Sequence, residues 1–226
     1  MESLIKPSAV CFDLDGTLVN TEDIFFQTAN HLLANQGLPL YTEAEFGHDF
    51  GNGQFIPGIA QRLHVAIADL DDFRAQFHQS MDFTPLRLKP GALDLLYLLS
   101  EHAIPICLVS NSSRSWVMQQ ILPPETAEFF SHIVTGNDVA HPKPAPDLYI
   151  QALKLLNQYH FNHQQTKAVL PHQVLAVEDS PSGLEAASSA GLTAVFVPNR
   201  FLAPQHNISN CPTFPSLIAF RDALWL

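Results

Sequence analysis

Basic residues are scarce in this chain of 226 residues. Lys and Arg together number 11 against 22 Asp and Glu, which gives a formal net charge of −11 with His neutral. Nucleic acid is bound through clusters of basic residues, and the sequence contains no run of Lys and Arg. We therefore expect no nucleic-acid partner. An anionic small substrate would need a metal ion and one or two well-placed cations to offset the negative field.

Cysteines and long apolar runs are also few. The cysteines Cys11, Cys107 and Cys211 lie far apart and are odd in number, so they predict neither a zinc-binding pair nor a disulfide framework. No stretch reaches 18 consecutive apolar residues, and no basic segment followed by an apolar one opens the chain. We expect reduced thiols, no contact with a membrane and a cytoplasmic location.

Apolar residues are abundant enough for a packed core. Hydrophobic residues make up 46% of the chain and charged residues 15%, which is the composition of a globular protein. Four short apolar runs separated by helix-like stretches predict parallel strands: Ala9–Phe12, Ile104–Val109, Val174–Val177 and Ala194–Val197. This alternation predicts an α/β fold with a Rossmann-like parallel sheet, whose ligands bind at the carboxyl ends of the strands.

Residues 20–85 have a different character. Apolar residues recur there at helical spacing, as at Ile24, Ala29 and Leu33, without a convincing strand pattern. We interpret 20–85 as an inserted α-helical cap, and 1–19 with 86–226 as the α/β catalytic core. Within the cap, the glycine-rich stretch Gly47–Gly58 predicts a loop or a connection between helices.

Further signs mark the ends of helices in the core. Ser180-Pro181 predicts a helix start and Gly191 its end, while Pro146-Asp147 opens another helix. The polar, His-rich segment 157–173 is expected to be an extended surface connection, and its sequence indicates no function.

Two carboxylates follow the first predicted strand. Asp13 and Asp15 point to the same side and would repel each other unless a cation lay between them. Gly16 allows the backbone to approach a ligand closely. A single acid at a strand end is often only a turn residue, whereas the whole string Asp13-Leu14-Asp15-Gly16-Thr17 indicates a metal-assisted site.

Polar residues also follow later segments. Ser110 and Asn111 come after the second strand, where they either hold phosphate oxygens or cap a helix. Lys143 lies in a Pro-rich turn and is either a surface residue or the cation that an anionic substrate needs. Glu178 and Asp179 precede Ser180 as either metal ligands or a solvated helix start.

These strings resemble, in order, the four motifs of the haloacid dehalogenase-like hydrolase superfamily. Asp13–Val19 resembles the first motif, Val109–Ser112 the second, Lys143–Asp147 the third, and Val177–Ser180 with Gly183, Glu185, Ala186 and Gly191 the fourth. The resemblance spans nearly the whole chain. The position and length of the helical insertion resemble the cap of the β-phosphoglucomutase-like and phosphoglycolate phosphatase-like branch.

The resemblance implies a Mg²⁺-dependent phosphatase with an aspartyl-phosphate intermediate. It assigns Asp13 as the nucleophile and Asp15 as the general acid and base. The implied Mg²⁺ ligands are the Asp13 side chain, the backbone carbonyl of Asp15 and the Asp179 side chain, with Glu178 as a further ligand or close neighbour. In the same way, the phosphate-binding residues are Ser110, Asn111 and Lys143.

The branch also suggests the kind of substrate, a small phosphorylated metabolite such as a sugar or polyol phosphate, acted on by a monomer. In such enzymes the cap contacts the leaving group and excludes water. Candidates for substrate specificity near the glycine-rich stretch are His48, Asp49, Asn52 and Gln54, each of which is otherwise an ordinary solvated loop residue.

Two other functions are weighed against the phosphatase. One is a phosphosugar mutase; the β-phosphoglucomutases carry a cap histidine twelve positions after the nucleophile, where this chain has Phe25. The other is a non-catalytic homologue that only binds a phosphorylated ligand. Such a chain would be expected to have lost Asp13, Asp15, Lys143 or Asp179, and it has kept all four.

Overall fold

Five parallel strands form the centre of the computed structural model, which describes residues 6–51, 54–84, 86–162, 168–202 and 211–224. The strands are β1 Ala9–Phe12, β2 Ile106–Val109, β3 Phe130–Val134, β4 Val174–Glu178 and β5 Thr193–Phe196. Their order across the sheet is β3-β2-β1-β4-β5, so β1 lies in the middle between β2 and β4. The predicted α/β fold with a Rossmann-like parallel sheet is confirmed.

Helices cover both faces of this sheet. The α-helices are α1 Thr21–Asn35, α2 Glu43–Gly51, α3 Phe55–Arg62, α4 Leu70–Gln79, α5 Ala92–Glu101, α6 Arg114–Trp116, α7 Asp147–Asn162, α8 Pro181–Ser189 and α9 Leu217–Ala223. A π-helical turn, Val117–Ile121, continues α6, and short 3₁₀ helices occur at Ile67–Asp69, Pro124–Phe129, Gly136–Asp138 and Pro171–Gln173. No helix in the described ranges has the length and apolar character needed to cross a bilayer.

Side chains of β1 alternate between two apolar layers. Val10 and Phe12 pack with residues of α5 and α9, whereas Ala9 and Cys11 pack with residues of α7 and α8. This alternation is the ordinary two-residue period of a strand. Because β1 is buried on both faces, its carboxyl end is a rigid support for the residues that follow.

The sequence did not predict one strand, β3. β3 is an edge strand with the sequence Phe-Ser-His-Ile-Val, and its middle residues Ser131, His132 and Ile133 are only half-buried. Apolar runs identify strands that are buried on both faces, and an edge strand need not show one. The other strands were predicted within two residues of their observed ends, as for β2, which begins at Ile106 rather than Ile104.

The inserted segment is helical, as predicted. Helices α1 to α4 surround an aromatic cluster in which Phe46, Phe55 and Phe77 are buried. The stretch Gly47–Gly58 was predicted as a loop or a connection between helices. Helix α2 covers its start and α3 its end, so the connection between these two helices is shorter than predicted. We call residues 20–85 the cap from here on; its boundaries as a domain stay an interpretation.

The two chain segments that join the cap to the core lie side by side. Val19 and Leu88 form an antiparallel bridge, and the Lys89 N–H donates to the Leu18 carbonyl at 2.8 Å. Next to them the Asn20 side chain accepts a hydrogen bond from the Arg87 N–H at 2.6 Å. The chain therefore leaves and re-enters the core at one place.

Two predicted helices of the core are observed, and one extends further than expected. The Ser180 hydroxyl caps α8 by accepting from the Gly183 N–H at 3.2 Å, and Gly191 follows the helix with a φ of +79°. Helix α7 starts at Asp147 but continues to Asn162, so the predicted extended connection was wrong for 157–162. Residues 163–167 of that connection lie outside the described residues.

Candidate active site

The predicted site residues meet at the carboxyl ends of β1, β2 and β4. Asp13, Ser110 and Asp179 each follow one of these neighbouring strands. A cavity of about 1140 Å³ opens here between the sheet and the cap. Of the predicted catalytic, phosphate-binding and metal-binding residues, those that line it are Asp13, Asp15, Asn111, Lys143 and Asp179.

Lys143 is the buried cation of this site. Its Nζ donates to Asp13 Oδ1 at 2.7 Å, to Glu178 Oε1 at 2.6 Å and to the Val109 carbonyl at 2.8 Å. Burial alone would lower the pKa of Lys143, but the two carboxylates outweigh it and raise the pKa above its usual value. The Tyr149 hydroxyl donates to the same Glu178 oxygen. The ammonium group is thus charged and fixed, with three donors in use.

Asp15 is held by the segment that follows β2. Its Oδ2 accepts hydrogen bonds from the hydroxyls of Ser110 at 3.2 Å and Ser112 at 3.0 Å. Burial, followed by the nearby Asp13 charge, raises the pKa of Asp15 to about 6, although the serine hydrogen bonds partly oppose this. A carboxyl group with such a pKa can be protonated close to neutral pH, which a general acid requires.

Asn111 makes contacts that its predicted role did not include. Its Nδ2 donates to the Lys143 carbonyl at 3.1 Å, and its Oδ1 accepts from the Lys143 N–H at 2.8 Å. These paired bonds hold the backbone of Lys143 while the Asn111 residue itself borders the cavity. The side chain therefore positions the cation, and phosphate binding by Asn111 stays a prediction.

A cluster of buried acids next to Lys143 is suited to a metal ion. Carboxylate oxygens of Asp13, Glu178 and Asp179 all lie within 4.8 Å of one another. Burial and then the Asp13 charge raise the pKa of Asp179 well above its usual value, so negative charge is only partly offset here. Glu178 Oε2 is buried without a hydrogen-bond partner among the described residues. Such an all-oxygen set fits Mg²⁺.

Gly16 keeps the first motif close to this cluster. Its φ is +82°, and a Cβ atom at this position would lie 2.1 Å from Asp179 Oδ2. The Gly16 carbonyl accepts from Lys89 Nζ at 2.5 Å, and this ammonium group also lies 3.4 Å from Glu22 Oε1. Only glycine fits here, because any side chain would push the two acidic segments apart. Lys89 and Glu22 were not predicted as site residues.

The cap side of the cavity is formed mainly by one face of α4. Asp71, Arg74, Ala75 and His78 line it, at the i, i+3, i+4, i+7 spacing of a single helix face. The His78 ring meets the ring of Trp116, from α6 of the core, at a centroid distance of 4.7 Å. The helical spacing could have revealed this face from the sequence, but the prediction relied on the glycine-rich stretch instead.

Three of the four predicted specificity residues, His48, Asp49 and Gln54, do not line the cavity. His48 Nδ1 lies 3.1 Å from Asp49 Oδ1, and the Tyr41 hydroxyl donates to Asp49 Oδ2 at 3.0 Å. The fourth, Asn52, lies outside the described residues. The physical reason is that 43–51 is a helix, which turns Phe50 rather than its neighbours toward the cavity.

Comparison with known proteins agrees with this arrangement. The sequence model of the haloacid dehalogenase-like hydrolases matches residues 10–197. The chain belongs to that family. The haloacid dehalogenase-like fold and enzyme class predicted from the motifs, a phosphoric monoester hydrolase, are confirmed. The solved structure of a β-phosphoglucomutase-like protein from Thermotoga maritima is 27% identical over 84% of each chain, with a TM-score of 0.65.

Several relatives are similar to this chain over most of their length. A phosphorylated carbohydrates phosphatase of Thermotoga maritima is 28% identical over 193 residues, which is 83% of each chain. The mitochondrial (DL)-glycerol-3-phosphatase 1 of Arabidopsis thaliana is 29% identical, over 96% of this chain and 72% of its own. The crystal structure of CbbY from Rhodobacter sphaeroides in complex with phosphate superposes with a TM-score of 0.70, at 24% identity, over 93% of this chain and 95% of that one.

Proposed function

We propose that this protein is a Mg²⁺-dependent phosphatase of a small phosphate monoester, with a sugar or polyol phosphate as the expected class. The observation that carries the proposal is the grouping of Asp13, Asp15 and Lys143 around one cavity at the end of β1. Named relatives that act on phosphorylated carbohydrates and glycerol phosphate support the substrate class. We also propose a cytoplasmic monomer that takes its substrate without a nucleic-acid or membrane partner.

In this proposal Asp13 and Asp15 divide the chemistry. A carboxylate oxygen of Asp13 attacks phosphorus and forms an aspartyl-phosphate, while Asp15 donates a proton to the leaving alcohol oxygen. Asp15 then takes a proton from the water that hydrolyses the intermediate. The hydrogen bonds from Ser110 and Ser112 orient Asp15 for both transfers. Two such steps replace one difficult displacement.

Lys143 and a bound cation would together offset the negative charge of the phosphate. Lys143 already contacts Asp13 Oδ1 and lies where it can neutralise phosphate oxygens near that atom. Asp13, Asp179 and the Asp15 carbonyl would hold Mg²⁺, with Glu178 as a ligand or close neighbour, and the ion would supply positive charge against the phosphate. Lys143 lies between Asp13 and Glu178, so it also keeps these two acids from repelling each other.

A screen of phosphate monoesters tests the proposal directly. Purified protein with Mg²⁺ is incubated with sugar, polyol and nucleoside phosphates, and released inorganic phosphate is measured. At least one ester should be hydrolysed at a kcat/KM in the usual enzymatic range of about 10⁴ M⁻¹s⁻¹ or above. If the wild type releases no more phosphate from any ester than the Asp13→Asn variant does, the result contradicts a phosphatase.

A mutase is the second candidate, because one observation favours it. Phe25 takes the place of the mutase histidine, but His78 borders the same cavity. Its ring packs edge-on against that of Phe25, with the two ring centroids 5.7 Å apart. Burial lowers the pKa of His78, so its ring is neutral near pH 7 and able to exchange hydrogen bonds. A cap histidine is therefore present at a position that the motif comparison did not indicate.

Product analysis separates the two reactions. We expect β-glucose 1-phosphate, incubated with a glucose 1,6-bisphosphate primer, to give inorganic phosphate or no reaction, since Phe25 stands where the mutases have their cap histidine and cannot exchange a proton. Product sugars are measured by an enzyme-coupled assay, and phosphate by a colorimetric one. Glucose 6-phosphate that accumulates without free phosphate would establish the mutase and contradict our proposal.

We further propose that α4, rather than the segment around His48, selects the substrate. Arg74 is the cationic side chain that lines the cap side of the described cavity. We expect Arg74→Met to lower kcat/KM for the best ester of the screen about tenfold or more, the usual cost of losing a hydrogen bond to a charged group. Hydrolysis of acetyl phosphate, whose acyl leaving group offers little for α4 to contact, should change much less.

Arg62→Met is the matched control for Arg74. Arg62 is also a cap arginine, but it pairs with Glu45 at 2.9 Å and stacks on Tyr41 away from the cavity lining. Equal losses in both variants, on both substrates, would show a general effect on the cap and would exclude a role for Arg74 in selection.

A further inference from the structure

A short segment after β5 connects the acidic cluster to the cap. The segment is Asn199–Leu202, and its first side chain is only 1% exposed. Asn199 Nδ2 donates to Asp179 Oδ2 at 2.7 Å, while Asn199 Oδ1 accepts from the Phe201 N–H at 2.9 Å and the Leu202 N–H at 3.2 Å. One amide group thus binds an acid of the metal-binding cluster and fixes the turn of its own segment.

Arg200 carries the connection to two cap helices. Its Nε donates to Asp23 Oδ1 of α1 at 2.7 Å, and its Nη1 donates to Glu43 of α2. The guanidinium group also lies over the Phe201 ring, 4.3 Å from the ring centroid. Planar guanidinium contacts of this kind restrict orientation as well as distance, because each bond uses a different nitrogen.

Phe201 continues the same segment into the apolar interior of the cap. Its ring is buried, and the ring centroid lies 4.6 Å from that of Phe46 and 5.1 Å from that of Phe26. Behind it, the Phe201 carbonyl faces Gly47 of α2 so closely that a Cβ there would lie 2.3 Å away. Phe201 belongs to the α/β core segment 86–226 but packs inside the cap, and it therefore has little freedom to move relative to α2.

We propose that Asn199 is a positioning residue that couples Asp179 to the cap through the segment Asn199–Leu202. The inference rests on the metal site of the proposed function. By holding one oxygen of Asp179, Asn199 sets the direction of the other, and Arg200 and Phe201 fix Asn199 against α1 and α2. Affinity for the cation and the position of the cap are thereby linked, and such a linkage acts equally in both directions.

This linkage can be tested without measuring turnover, by breaking a contact with the cap and measuring the affinity for Mg²⁺. Arg200→Met removes the two ion pairs with the cap while keeping an apolar stem, at a side chain that is half-exposed and does not touch the acidic cluster. We expect it to weaken Mg²⁺ binding by about fivefold or more, as site-to-site coupling commonly does. Mg²⁺ affinity is measured by isothermal titration calorimetry on the full chain without substrate.

Asn199→Ala and Arg62→Met complete the experiment. Asn199→Ala removes the contact with Asp179 itself and should weaken Mg²⁺ binding about tenfold or more, the usual effect of losing a partner of a metal ligand. Arg62→Met breaks a cap ion pair that has no contact with the segment, and its Mg²⁺ affinity should stay within about twofold of the wild type.

The outcomes separate the coupling from the metal site. If Arg200→Met binds Mg²⁺ as tightly as Arg62→Met and the wild type, the coupling is wrong although the site stands. If the wild-type protein binds no Mg²⁺, the metal site of the proposed function is wrong and the coupling falls with it. A selective loss of affinity in Arg200→Met and Asn199→Ala supports the coupling.

Discussion

Replacement of Asp13 by Asn is expected to abolish turnover while the protein stays folded. The variant keeps the shape of the side chain but lacks the carboxylate that forms the covalent intermediate. Loss of a nucleophile commonly lowers kcat by about 10⁴- to 10⁶-fold. Enzymes accelerate monoester hydrolysis by up to about 10²¹-fold, so even this loss is measured far above the spontaneous reaction.

The surroundings of Asp13 explain why the fold should tolerate this change. Its backbone N–H donates to the Val177 carbonyl at 3.0 Å, a bond that the substitution does not affect. Lys143 loses a charged partner but still donates to Glu178 and to the Val109 carbonyl. The Asp13 charge also raises the pKa of Asp15 and Asp179, so its removal relieves repulsion among the remaining acids.

Two measurements check this prediction. Phosphate release is followed for the wild type and Asp13→Asn on the best ester, and circular dichroism confirms that both are folded. A hydroxylamine trap should capture a phosphorylated carboxylate in the wild type alone. Asp94→Asn serves as the control, because Asp94 is exposed on α5 and pairs with Arg221, away from the cavity lining. Activity of Asp13→Asn within about tenfold of the wild type would contradict the nucleophile assignment.

Removal of Mg²⁺ should have an effect of similar size. Asp13, Glu178 and Asp179 bring three carboxylates within 4.8 Å, and Lys143 is the cation that contacts two of them. The dianionic phosphate of a substrate adds further negative charge to this cluster, so binding without a second cation is strongly opposed. We expect hydrolysis to fall to the level of the Asp13→Asn variant in a chelator and to recover when Mg²⁺ is returned.

The size of the ion matters as well as its charge. Mg²⁺ takes six oxygen ligands at about 2.0–2.1 Å, whereas Ca²⁺ takes six to eight at about 2.3–2.6 Å. Ca²⁺ should therefore bind yet support little hydrolysis. Bound Mg²⁺ should also stabilise the folded protein by about 2.7 kcal/mol at one hundred times its Kd, which appears as a higher Tm. Full activity after exhaustive dialysis against a chelator would contradict the metal site.

Much of the fold and site could be predicted because it depends on local sequence. Buried strands such as β1 and β4 appear as apolar runs, and the acids after them are forced by the parallel topology to the same edge of the sheet. Ser180 and Gly191 mark the ends of α8 through chemistry that belongs to single residues. Family motifs then assign roles to Asp13 and Lys143 that spacing alone cannot assign.

The parts that were missed depend on tertiary contacts. The edge strand β3 has no apolar run, because solvent replaces one of its neighbours. Asn111 reads as a phosphate ligand in the motif, yet its amide is engaged by the backbone of Lys143, 32 positions away. Arg200 and Phe201 lie in a loop without a motif, and only the packed structure shows that they contact the cap.

The bridge between Val19 and Leu88 makes it easy for the length of the cap insertion to change during evolution. Because the chain leaves and returns at adjacent points, the ends of the insertion stay the same distance apart whatever its length. Each doubling of a flexible insertion costs only about 0.6 kcal/mol of closure entropy. Insertions and deletions between these two residues can therefore resize the substrate compartment while the sheet and its acids remain in place, so that new specificities arise at little cost to folding.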